Sequence, residues 1–334
     1  MGGKQVMSKK SFLVERDKSI EIPKSLEQLS ADEIERKLCI SRVMTCALKH
    51  LTLEFVNKGF EWLLPVIFSQ STDPLWPDPG ASIDKRIEVE IYGKTVRTTL
   101  SMIIHKMVAC SLVHPKLFTL SPNIRVERKN RANSGIHTYE FTQLDFEVRN
   151  ASSEDIRSLV EEVICGLIGA VKKHMNKELT SLERYDCLKI PDTPFKVYDR
   201  QELEKKFGRG WETKIVFEAD DPLWITNIPR EFYDFEDFGK GKWDNYDLML
   251  PSYGEVLSGS RREWEYNKIV RKMQRDGVRK ENYKLLLKLA KDGKLKPSAG
   301  AGIGAERLVS WLVGAKHIGE TQLFPKIPGI VYDL

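Results

Sequence analysis

Between Gly300 and Ile318 the chain reads GAGIGAERLVSWLVGAKHI, and this stretch restricts the fold more than any other. A dinucleotide-binding turn needs GxGxxG between a strand and a helix, with an acidic residue about twenty positions later. Gly300, Gly302 and Gly304 have the wrong spacing, and too little chain follows them. A phosphate loop of the Walker type needs Gly-Lys-Ser/Thr, which is absent. What remains is a glycine-rich strand running directly into Glu306, Arg307 and an apolar helix. Glycine on a strand lets another group approach the backbone closely. An arginine one turn into the following helix can clamp a phosphate or stack on a base.

The rest of the chain alternates helices and strands irregularly. Ser30-Ala31-Asp32-Glu33 reads as a capping box ahead of a long helix with Ile34, Leu38, Met44, Leu48, Leu51 and Phe55 as its apolar stripe. Phe60 to Pro65 reads as a strand, residues 69–84 as a loop, and 86–100 as a hairpin turning at Gly93-Lys94. A helix is expected over 101–113 and another over 152–176, the latter capped at Ser152 or Ser153. From 186 to 260 we expect short strands and turns, then helices at about 262–275 and 280–292. The pattern predicts an α+β fold with a mainly antiparallel sheet flanked by helices. Residues 1–29 read as an N-terminal extension and 30–334 as one domain.

Three polar groups stand out against this framework. Arg125 and Glu127, two apart on an expected strand, share a face. After a glycine-containing loop, Gln143, Asp145 and Glu147 alternate with Leu144, Phe146 and Val148, giving a second polar strand face. Asp247 and Glu255 flank a turn, where two carboxylates can hold Mg²⁺ through oxygen. Beyond them Arg262 is expected at a helix start, where the dipole repels it, so it should have an anionic partner. Each feature has a plain alternative: a solvated face, or an ion pair within the protein.

Bulk properties exclude little. Net charge is +5, from 53 basic and 48 acidic residues, too small an excess to indicate nucleic acid on its own. The five cysteines form no CxxC pair, which suits a reducing cytoplasmic compartment. No apolar stretch is long enough to span a membrane.

In order, the chain carries RxE, a loop, HxxEF, an alternating acidic strand, GExxSGxxR and GxGxGxER. This order resembles the catalytic core of class II aminoacyl-tRNA synthetases, aspartyl/asparaginyl branch, over roughly residues 35–330. Gly59 to Pro65 is similar to the family's first motif, Arg125 to Glu147 to its second, and Gly300 to Pro325 to its third. The resemblance implies ATP and Mg²⁺. Arg125 and Arg307 would be catalytic, Arg125 meeting the α-phosphate. Glu127 would hold the adenine end, His137 would approach the outer phosphates, and Phe141 and Arg307 would sandwich the base. Asp247 and Glu255 would coordinate the metal, Glu255 also serving ATP. Lys106, Ser258, Arg262, Gly302 and Gly304 would form the aspartate pocket, with Lys106 and Arg262 gripping a carboxylate. The first motif implies a homodimer.

The chain departs from the family in ways that shape the functional expectation. Only about thirty-five residues precede the first helix, without the alternation of an anticodon-binding barrel. A Thr-x-Glu-Gly covering loop is missing, with Ser71 to Trp76 near its place. Ile103 stands where aspartyl enzymes carry an amino-group-binding glutamine, and Gly319 and Lys326 replace arginines. A core of this kind resembles the archaeal synthetase-like asparagine synthetases. The expectation is therefore an AMP-forming aspartate–ammonia ligase: ATP activates the β-carboxylate of L-aspartate, and ammonia attacks β-aspartyl-AMP. On that reading tRNA is not a partner. The alternative is an aspartyl/asparaginyl-tRNA synthetase paralogue acting on tRNA, or a regulatory one.

Overall fold

The computed structural model describes residues 20–75 and 83–333. Its main sheet has eight strands: β1 Glu61–Trp62, β2 Lys116–Ile124, β3 Glu140–Arg149, β4 Lys196–Asp199, β5 Leu223–Thr226, β6 Asn245–Leu250, β7 Gly254–Arg261 and β8 Ser298–Gly304. Their spatial order is β1-β2-β3-β8-β7-β6-β5-β4. The two outermost pairs are parallel and every inner pair is antiparallel. The sheet is open rather than closed into a barrel, as an α+β class II synthetase-type core requires.

The two faces of this sheet follow from the period of its strands. On β3, Leu144 and Phe146 are fully buried on one side. They join Phe55 of α1 (Ala31–Asn57) and Val160, Val163 and Ile164 of α3 (Ser153–His174) in one core. The rings of Phe55 and Phe146 lie 4.9 Å apart, and burying each such side chain stabilises the fold by about 1.5–3 kcal/mol. Gln143, Asp145 and Glu147 project to the other face. There α2 (Ile103–Leu112) lies against it, placing Lys106 over Asp145. Beyond α2, Ile103, Ile104 and Met107 pack with α6 (Tyr266–Arg275) and α7 (Lys284–Lys291) in a second core.

Local signals set the helix starts. Ser30 and Glu33 form the expected capping box on α1, and Ser152 and Asp155 form one on α3. The hairpin of Glu88–Ile91 and Lys94–Thr98 turns at Tyr92-Gly93, whose φ values of 50° and 72° suit a primed turn.

Four expectations need correction. The buried face of α1 is Ile40, Val43, Ala47, Leu51 and Phe55, while Ile34 and Leu38 are exposed. The strand expected at Phe60–Pro65 pairs only over Glu61–Trp62, because Leu64 points to solvent and finds no neighbour. The region 186–260 also contains two helices, α4 (Arg200–Phe207) and α5 (Trp211–Glu218). Arg262 lies at the end of β7, bridged to Asp234, and the helix begins only at Tyr266. Most of the expected extension, and residues 76–82 of the expected loop, lie outside the described residues. The described part of the extension touches the body, the Tyr332 hydroxyl donating to the Pro23 carbonyl.

Candidate active site

The polar face of the sheet opens into a cavity of about 270 Å³. Its floor is made by β3, β7 and β8. In the β3–β8 register Gln143 faces Gly304, Asp145 faces Gly302 and Glu147 faces Gly300. The glycines are required by this packing. A Cβ at Gly300 would come 2.2 Å from the Phe146 carbonyl oxygen and 2.3 Å from Glu147 Oε2. One at Gly302 would meet Asp145 Oδ1 at 2.8 Å. At Gly304 the nearest atom is Arg307 Cβ at 3.5 Å, an ordinary contact. The alternate glycines thus let polar side chains of β3 lie flat across β8.

Arg125, Glu127, His137, Phe141, Glu255 and Arg307 line the outer part of this cavity. Arg125 sits at the break between β2 and the short strand Val126–Glu127, and its Nε donates to the Leu100 carbonyl at 3.1 Å. Its guanidinium lies 5.0 Å from the Phe141 ring centre, within cation–π range. Phe141 and Arg307, the pair expected to sandwich the base, both line the cavity. Arg307, on α8 (Ala305–Val313), donates to the Glu255 carbonyl at 3.1 Å and to Glu255 Oε1 at 3.3 Å. The neighbouring Glu306 is buried and accepts the Thr142 amide with both oxygens.

His137 is neutral by both geometry and environment. Arg131 donates to its Nε2 at 3.2 Å, so Nδ1 carries the proton and faces Ser134 Oγ at 2.6 Å. Burial, together with Arg307, Arg131 and Arg125, pushes its pKa down to about 3.

Asp247 and Glu255 do not face each other across the β6–β7 pair. Asp247 is opposite Ser258 and Glu255 opposite Met249, with an irregularity in between. Asp247 Oδ2 accepts Arg230 at 2.5 Å, and its Oδ1 is buried without a hydrogen-bond partner among the described residues. Burial pushes the Asp247 carboxyl up to about 7, Arg230 opposing that rise and Glu255 adding to it. Each carboxylate has an arginine partner, and the unpartnered Asp247 Oδ1 is the oxygen left to fit a magnesium ion, which takes oxygen ligands. Among the described residues no three-residue cluster of metal-binding side chains stands here.

The inner end is held by ion pairs. Lys106 Nζ donates to Asp145 Oδ1 at 2.9 Å and to the Ala301 carbonyl at 3.0 Å, and lies 3.8 Å from Glu147 Oε2. Arg262 donates through Nε to Glu147 at 3.1 Å and through Nη1 to Asp234 at 3.0 Å. The anionic partners expected for Arg262 are thus carboxylates of the protein. Ser258, Gly302 and Gly304 line the cavity beside this network. Asp73, Arg230, Glu231 and Asp234 also line it. Of these only Asp73 falls in a stretch marked by the sequence, Ser71 to Trp76. Arg230 and Glu231 sit in a loop without a motif and reach the cavity by tertiary packing.

Comparison with known proteins agrees with this architecture. Residues 87–328 match the family described as tRNA synthetases class II (D, K and N). The asparagine–tRNA ligase of Pyrococcus abyssi is 26% identical over 356 aligned residues, covering 99% of this chain and 80% of the relative. That of Thermococcus kodakarensis is 29% identical over 238 aligned residues, covering 65% of this chain and 54% of the relative. The Pyrococcus horikoshii asparaginyl-tRNA synthetase, solved with asparaginyl-adenylate, superposes with a TM-score of 0.78 at 23% identity. The match covers 93% of this chain and 76% of that one.

These relatives overturn the expected aspartate–ammonia ligase and the expected exclusion of tRNA. That expectation rested on a missing barrel. The residues that would bind ATP serve either acceptor equally, so they carried no information about which acceptor is used. Among the described residues, no helix is long and apolar enough to cross a membrane.

Proposed function

From the premise that this chain belongs to the class II tRNA synthetases of the D, K and N group, an ATP-dependent ligase family, we propose that it activates an amino acid as its adenylate and transfers it to tRNA. The observation that carries this reading is the pair Arg125 and Arg307 lining one cavity with Glu255 and with Arg230, the ion-pair partner of Asp247. The amino-acid carboxylate attacks the α-phosphorus of ATP, and pyrophosphate leaves. A terminal hydroxyl of the tRNA then attacks the carbonyl carbon of the adenylate, and AMP leaves.

Each residue has a part that its position supports. Arg125 meets the α-phosphate, where negative charge grows in the transition state. Phe141 offers a ring face to the base, and Glu127 closes the adenine end. Arg307 leaves Glu255 when nucleotide arrives and takes a phosphate or the other face of the base. Asp247 and Glu255 would hold a magnesium ion, which would supply positive charge to the phosphates of ATP. Lys106 and Arg262 hold the carboxylates of the floor in place, and Gly302 and Gly304 leave space above them.

We include in this proposal a homodimer. Ile34, Leu38, Trp62, Leu64, Ile67 and Phe68 are exposed apolar side chains of α1 and the segment after it, and such a surface is expected to be covered. Incubation with total tRNA, MgATP and a mixture of labelled amino acids tests the function. Label that is precipitated with tRNA and released by mild base supports it. AMP release without label on tRNA refutes the transfer step.

A further inference from the structure

The inner end of the cavity holds more negative charge than its cations match. Lys106 and Arg262 are each engaged by carboxylates of the floor and of Asp234. Asp145 lines the cavity, is 3% exposed, and its Oδ2 has no hydrogen-bond partner among the described residues. Glu231 lines it too and is 7% exposed. Among the described residues its carboxylate has no hydrogen bond to, and no ion pair with, another residue. Asp73 comes from the loop before residue 76, where Oδ2 accepts Ser101 Oγ at 3.1 Å and Oδ1 accepts the Leu75 amide at 2.8 Å. Both of those donors are neutral. Of the other cations nearby, Arg230 is committed to Asp247, Lys272 pairs with Glu263 and donates to the Asp234 carbonyl, and Arg86 donates to the Pro74 carbonyl.

Buried charge without a counter-charge is costly, and a site can relieve it with a proton or with a cation. Burial first, then Asp73, raises the Glu231 carboxyl well above its usual range, with Arg230 opposing them. A ligand ammonium would supply such a cation. One α-ammonium leaves the wall still negative, and a ligand with a second carboxylate would worsen the excess. Ile103 gives the same space an apolar side, suited to methylene groups.

We propose that Asp73, Glu231 and the free oxygen of Asp145 form a cation-binding wall, and that the amino acid taken by this site is a diamino acid rather than a dicarboxylic one. This deepens the adenylation reading above and rests on it. The shared chemistry is a second ammonium on a short aliphatic chain.

The test is amino-acid-dependent ATP–pyrophosphate exchange with lysine, ornithine, 2,3-diaminopropionate, asparagine and aspartate, alongside thermal shift by the same compounds without ATP. One of the diamino acids is expected to exceed asparagine and aspartate at least about tenfold in kcat/KM, as loss of one charged hydrogen bond implies. Glu231→Gln and Asp73→Asn should each lower that preference by about tenfold, mainly through KM for the amino acid. Exchange driven best by asparagine or aspartate overturns the inference and leaves the adenylation reading intact. Exchange with none of the five refutes adenylation of these substrates, and the thermal shift then decides. A shift by a diamino acid that is lost in Glu231→Gln upholds the wall, and no shift overturns it.

Discussion

Glu147 and Arg262 form a two-point ion pair with almost no solvent access, at 3.1 Å and 3.3 Å from Nε to the two carboxylate oxygens. Arg262 Nη2 also donates to Glu147 Oε2 at 3.3 Å, and Ser298 Oγ donates to Glu147 Oε1 at 2.8 Å. Glu147→Ala would strand a buried guanidinium and is expected to cost about 3–5 kcal/mol. Urea unfolding measures this. The double variant Glu147→Leu/Arg262→Met should recover only part of that loss, because removing Arg262 also takes the cation from its second buried partner, Asp234.

The glycines of β8 give a graded prediction. Gly300→Ala places a methyl against backbone at 2.2 Å and should lower stability by at least about 3 kcal/mol or prevent folding. Gly304→Ala meets nothing closer than 3.5 Å and should melt within a few degrees of the parent. Equal effects at the two positions would contradict the packing account.

His137 predicts a pH dependence. Its folded pKa, about 3, lies below the usual 6.5. As pH falls below 6.5 the unfolded chain takes a proton that the folded chain refuses. Stability is therefore lost from about pH 6.5 downward, by at most about 1.4 kcal/mol per unit, until the folded group titrates near 3. His137→Gln removes this component. The difference between variant and parent stability should grow in the variant's favour between pH 6.5 and 4, and a flat difference would contradict the neutral, Arg131-facing imidazole.

Arg307→Ala should lower kcat/KM for ATP by about 100-fold or more, the usual effect of removing one charge-stabilising donor. Its effect on folding should be small, since its ion-pair partner is the partly exposed Glu255. Steady-state kinetics and a melting curve on the same preparation separate the two effects.

What the sequence disclosed followed the range of its signals. The Ser152–Asp155 box and the Leu144/Phe146 alternation are local, and the structure reproduces both. The apolar stripe of α1 was misread because Ile34 and Leu38 are apolar yet exposed, so the helix carries apolar residues on more than its core face. The helices Arg200–Phe207 and Trp211–Glu218 are eight residues each, too short to show a period. Arg230 and Glu231 were not legible at all, since nothing local marks a loop that folds over a sheet. The acceptor was misjudged for a similar reason: the cavity's ATP-facing residues carry no record of what attacks the adenylate.

The central claim is that the cavity bounded by Arg125 and Arg307 forms an adenylate. Its most direct test is ATP–pyrophosphate exchange by the purified full chain with Mg²⁺ and each amino acid in turn. The account predicts exchange that depends on a single amino acid or a narrow set and disappears in Arg125→Ala. Exchange absent for every amino acid, with ATP still bound, would contradict it.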